Sequence, residues 1–115
     1  MTQHDIFVAT EHPAAVVSAV IEAALGVAFQ PSQGPDPVPA LMTGGTKVFF
    51  HDSHPFEDDA EFPVSRYQYW VSVEDSARDE QRQLEIARRV FEAVTAEGWP
   101  AMLSLGLQGN VVIYP

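Results

Sequence analysis

A chain of 115 residues, 46% of them hydrophobic, carries enough apolar surface for one ordinary core, which excludes global disorder and leads us to expect a single domain spanning 1–115. Sixteen Asp and Glu against six Lys and Arg give a net charge of −10, a field that repels phosphate backbones and anionic lipid and argues against nucleic-acid or membrane partners. The absence of cysteine excludes disulfides, zinc–thiolate centres and thiol nucleophiles, and fits a reducing compartment.

The opening Met1-Thr2-Gln3-His4-Asp5 lacks the basic start of a signal peptide, so a cytoplasmic location is expected. Asp5 to Ala9 is a short apolar run with β-branched and aromatic members, which predicts a strand. Thr10-Glu11-His12-Pro13 then combines a polar cap, an acid and a proline, a helix-start pattern. The helix runs to Leu25 and stops at Gly26. Ser18 and Glu22 are its polar positions, so the helix is expected to be deeply covered. The apolar stretch 13–29 that contains it is too short and too interrupted to span a membrane.

Residues 30–39 hold four prolines and a glycine and predict a connection. Residues 40–50 suggest paired strands around Gly44-Gly45 or one strand interrupted there, and 51–65 a second loop. The clearest strand is Tyr67 to Glu74, where Tyr67, Tyr69, Val71 and Val73 alternate with Gln68, Trp70, Ser72 and Glu74. Ser76-Ala77-Arg78-Asp79 resembles a capping box. The following helix, closed by Gly98, has an apolar stripe of Leu84, Ala87, Val90, Phe91 and Val94. Residues 101–114 predict a hairpin with its turn near Gly109-Asn110. The resulting order, β-α-β-β-α-β(β), predicts an α+β two-layer sandwich in a ferredoxin-like arrangement, both helices on one face of a mainly antiparallel sheet.

No catalytic constellation stands out. The contiguous Asp52, Ser53 and His54 lack a glycine-framed elbow, and neighbouring side chains seldom converge into a triad. His51 and His54 with nearby carboxylates could hold a divalent cation, but their spacing matches no standard metal motif, and no metal or cofactor is expected. The acids themselves are the stronger signal. Asp52, Glu57, Asp58, Asp59 and Glu61 make a dense negative segment without a basic residue, and Glu74 and Asp75 lie beside the aromatic Tyr69 and Trp70. Acids around large aromatics predict a docking surface for a basic protein, with the charges steering and the rings anchoring.

The segments Ile21-Glu22-Ala23-Ala24-Leu25-Gly26-Val27-Ala28-Phe29-Gln30-Pro31, Phe62-Pro63 leading to Tyr67-x-Tyr69-Trp70-Val71-Ser72-Val73, and Arg88-Arg89-Val90-Phe91-Glu92-Ala93-Val94 resemble those of small acidic actinobacterial immunity proteins of polymorphic-toxin systems. That resemblance implies a cytoplasmic protein that binds and blocks a cognate toxin without cofactor or catalysis. It transfers no site residue. The leading expectation is therefore a non-enzymatic protein-binding module. The alternatives are a small-ligand or metal-binding domain built on His51 and His54, and a homodimeric domain of other function.

Overall fold

Eight elements follow one another in the computed structural model, which describes residues 4–29, 40–41, 45–51, 67–75, 79–104 and 111–114. They are β1 (His4–Val8), α1 (Ala14–Leu25), β2 (Ala40–Leu41), β3 (Thr46–His51), β4 (Tyr69–Asp75), α2 (Glu80–Ala96), β5 (Ala101–Ser104) and β6 (Val111–Tyr114). The strands form one sheet in the order β2-β3-β4-β1-β5-β6, and every neighbouring pair is antiparallel. The α+β two-layer form is thus present. The finer ferredoxin-like expectation is not met by the sheet as a whole, because six strands stand where that arrangement has four: β2 and β6 are added outside an inner β3-β4-β1-β5 order. The strand pair within 40–50 and the hairpin over 101–114 are both present, as β2 with β3 and β5 with β6.

Strand alternation divides the sheet into two chemically different faces. Ile6, Val8, Val48, Tyr69, Val71, Val73, Ala101 and Leu103 share one core with Val17, Ile21 and Leu25 of α1 and Ile86, Ala87, Val90 and Val94 of α2. Both helices therefore cover the same side. Phe7, Tyr67 and Met102 form a second, smaller cluster with Ala9 and Trp70 packed against it. Tyr67 was expected to share the side of Tyr69. It instead precedes β4, where strand alternation does not constrain it, and joins Phe7 and Met102.

Gly26 ends α1 with φ 68°, its N–H donating to the Glu22 carbonyl at 2.8 Å. The Glu22 carboxylate accepts from the Phe29 N–H at 2.7 Å and folds the following segment back onto the helix end. The N-cap is Pro13, without a side-chain cap, and Thr10 instead accepts from the His12 N–H. Deep cover of this helix is not observed. Val17, Ile21 and Leu25 are buried at i, i+4, i+8, whereas Ala15, Ala19, Ala23 and Ala24 are exposed and Val16 is 39% exposed. Small side chains made the outward face look apolar in sequence without requiring burial.

The second helix begins later than the Ser76 pattern suggested. Asp79 is the N-cap, its carboxylate accepting from the Arg82 N–H at 3.0 Å, and Glu80 supplies the first-turn acid. The buried stripe is Gln83, Ile86, Ala87, Val90 and Val94, with Leu84 and Phe91 only half-buried. Trp99 is buried and packs against the His12 ring at a centroid distance of 5.4 Å.

The orientation of α1 yields a direct comparison. Ile21→Ala empties a fully buried position and should cost about 2–5 kcal/mol. Val16→Ala, on the outward face, should stay within about 0.5 kcal/mol. Denaturant unfolding of both variants checks this, and equal losses would contradict the orientation.

Candidate functional site

On the face opposite the helices, register rather than sequence proximity assembles an aromatic group. His51 lies directly across from Trp70, and their rings stack at 3.9 Å with an interplanar angle of 14°. Phe49, two residues earlier on the same face, extends the stack to His51 at 6.4 Å. From the other side of β4, Asp5 accepts a 2.8 Å hydrogen bond from the Trp70 indole Nε1. Ser72 lies between these groups, its Oγ 3.5 Å from His51 Nε2. The half-buried indole is therefore held along its N–H by a carboxylate and across its face by an imidazole.

This arrangement suits recognition better than proton transfer. Ser72 is buried, so its hydroxyl is withheld from an incoming substrate. A fixed Trp presents a large amphipathic surface with little rotamer entropy left to lose on binding. Stacking on the indole also favours positive charge nearby, which suits a basic partner side chain.

The predicted site residues separate into three groups. Trp70 lies on the helix-free face, as does Glu74, whose cross-strand neighbour in the register is Lys47. Opposite charges facing one another locally offset the acidity expected there. Lys47 itself is not on an edge strand, because β2 pairs outside it.

Tyr69 and Asp75 occupy the interior. Tyr69 is 2% exposed, stacks with Phe50 and donates from its hydroxyl to the His12 carbonyl at 2.6 Å. Asp75 is 4% exposed; one of its carboxylate oxygens accepts from Thr46 Oγ1 at 2.9 Å and from Arg82 Nε at 2.7 Å. That hydrogen bond raises the Arg82 guanidinium further above its usual value. Neither side chain offers the surface contact expected of it, because both point toward the helices by strand alternation.

Asp52, Glu57, Asp58, Asp59, Glu61, Ser53 and His54 lie outside the described residues. Their segment follows His51 in sequence, and His51 rests on Trp70. Glu74 and Asp75 end β4 at the other limit of the same ladder, where Asp75 pairs with Thr46. Five residue steps separate the two limits, about 17 Å of strand. The two acidic regions thus enter the fold at opposite ends of β3 and β4.

Sequence reasoning missed Asp5, Phe49 and Ser72 as companions of Trp70, and it treated His51 as a loop residue. Residues from three strands converge there, and only the register could have revealed it. Among the described residues no group of three or more His, Cys, Asp or Glu could hold a metal ion, and no helix is long and apolar enough to cross a membrane. No family model matches the chain, and neither a curated protein nor a solved structure matches it.

The assignment of Tyr69 to the interior has a measurable consequence. Tyr69→Phe removes one partly buried hydrogen bond and should cost about 0.5–1.5 kcal/mol while leaving the surface unchanged. Trp70→Phe should leave stability closer to wild type, since the Asp5 carboxylate it releases is only half-buried and can turn to water. Chemical denaturation of the two variants in parallel distinguishes the roles.

Proposed function

We propose that this chain is a non-enzymatic protein-binding module, of the immunity-protein kind, that occupies a basic protein partner with the helix-free face around Trp70. The observation that carries this reading is the Trp70 indole, half-buried and held between Asp5 and His51, the residue that immediately precedes the acidic segment 52–61 in sequence. Preorganised aromatics beside acids suit the recognition of Lys- and Arg-rich surfaces: the ring supplies buried area, and the charge accelerates encounter. The net charge of −10 adds long-range attraction for any basic protein.

The proposed surface is narrower than the sequence expectation. Trp70 with Asp52, Glu57, Asp58, Asp59 and Glu61 remains in the reading. Tyr69 and Asp75 leave it because they are buried, and Glu74 becomes peripheral because it faces Lys47. The acidic composition and the lack of cysteine support a cytoplasmic setting.

Affinity capture on the immobilised full chain, run in parallel with Trp70→Ala, tests this reading. A basic protein should be retained by the wild type and lost by the variant, with folding of both confirmed by circular dichroism. On the purified pair, Trp70→Ala should weaken binding by about 2 kcal/mol or more, roughly 30-fold. Reversing the five acids of segment 52–61 to lysine should slow association by roughly tenfold or more at low salt and flatten its salt dependence. Retention by both baits, or association kinetics untouched by the reversal, would sink the proposal.

A further inference from the structure

We propose that His4, Gln83 and Asp75 form an acid-sensitive latch that fastens the start of β1 and the end of β4 to the first turns of α2 while the His4 imidazole is neutral. Gln83 is 1% exposed, and both ends of its amide are used. Its Oε1 accepts from the Asp75 backbone N–H at 3.0 Å, and its Nε2 meets His4 Nδ1. The first bond fixes the second. Only an oxygen can accept from the Asp75 N–H, so the amide cannot turn over, and its NH₂ is committed to His4. An NH₂ group only donates, and Nδ1 must therefore carry a lone pair and the proton must reside on Nε2.

Protonation of the imidazole places an N–H on Nδ1, facing the NH₂ of Gln83. Turning the amide to accommodate it would set NH₂ against the Asp75 N–H. Either way one buried donor loses its partner, a cost folded proteins normally avoid. The latch therefore opens on acidification.

The charged groups around His4 act in the opposite sense. Asp5 beside it on β1 and Glu80 on α2 favour the imidazolium, while burial outweighs them and lowers the His4 pKa from its usual value. Asp79 and Arg82 complete the charges of the same helix end, and Arg82 is engaged by Asp75 of β4. Thr46, which bonds the Asp75 carboxylate, is the neighbouring contribution from β3 and is uncharged.

The sign follows from the depressed pKa. Stability is complete above the unfolded-state value, near 6.5, and falls as pH drops below it toward the folded-state value, because the unfolded chain then binds more protons.

Two variants of the full chain and one spectroscopic measurement decide the matter. Nitrogen-15 NMR of the His4 ring should show the Nε2–H form at pH 7.5 and a midpoint below that of an unstructured histidine. His4→Asn keeps an acceptor where Nδ1 stood, and its melting temperature should fall less than that of the wild type between pH 7.5 and 5.5. Gln83→Glu offers carboxylate oxygens to both neighbours, so it should raise the His4 midpoint above the wild-type value. A ring titrating at or above the unstructured midpoint, or an unchanged slope in His4→Asn, overturns the latch. If Gln83→Glu does not fold, the ring titration and His4→Asn retain the decision.

Discussion

The two-residue alternation of β4 is the constraint on which the rest of the molecule depends. With β1 on one side and β3 on the other, this strand cannot slip by one residue without exchanging its two faces. Tyr69, Val71, Val73 and Asp75 consequently point toward the helices, and Trp70, Ser72 and Glu74 point away. The same register that closes the core brings His51 over Trp70 and places Asp5 within reach of the indole. Core and candidate site are thus two consequences of one pairing, and a shift of that register would disturb both.

The two ends of that strand have different chemistry. At the Tyr69 end, aromatic rings stack on both faces: Phe29, Phe50 and Tyr69 beneath the helices, and Phe49, His51 and Trp70 on the far side. At the Asp75 end, polar groups are satisfied one by another: Thr46 and Arg82 donate to the buried Asp75 carboxylate, Gln83 accepts from its backbone N–H, and the other end of the Gln83 amide meets His4. Buried polar groups that are fully paired specify an arrangement more narrowly than apolar contacts do, since most alternatives leave a donor or acceptor unmet. The start of α2 is therefore held by directional bonds and the remainder of the helix by packing.

Charge and position are separable in this protein. The acids counted along the chain suggest a docking surface in two regions, yet Asp75 is engaged inside by Arg82 and Thr46, Glu74 faces Lys47, and Asp5 receives an indole N–H. Asp52, next in sequence after His51, begins the remaining acidic segment, which lies outside the described residues. A carboxylate in a sequence is an equal unit of charge wherever it stands, but its value to a partner depends on burial and on what already binds it.

The number, type and order of the main elements were legible in the sequence because they follow from short-range rules: the alternation from Tyr69 to Glu74, the glycines after Leu25 and Glu97, and the apolar spacing of Ala87, Val90 and Val94. Helix boundaries and faces were less so. Gln83 was unreadable as a core residue because a polar side chain is buried only when distant partners satisfy it, and those partners lie on β1 and β4. The outward face of α1 was equally hidden, since alanine is compatible with either environment. By itself, then, the sequence determined an acidic α+β chain with two helices and a central amphipathic strand whose Trp70 lies on the opposite face from Tyr69, Val71 and Val73, without saying which face is the core. Which acids remain at the surface, which histidine is buried, and that His51, Asp5 and Trp70 meet were decided by strand register, because only pairing across the sheet brings residues 5, 51 and 70 together.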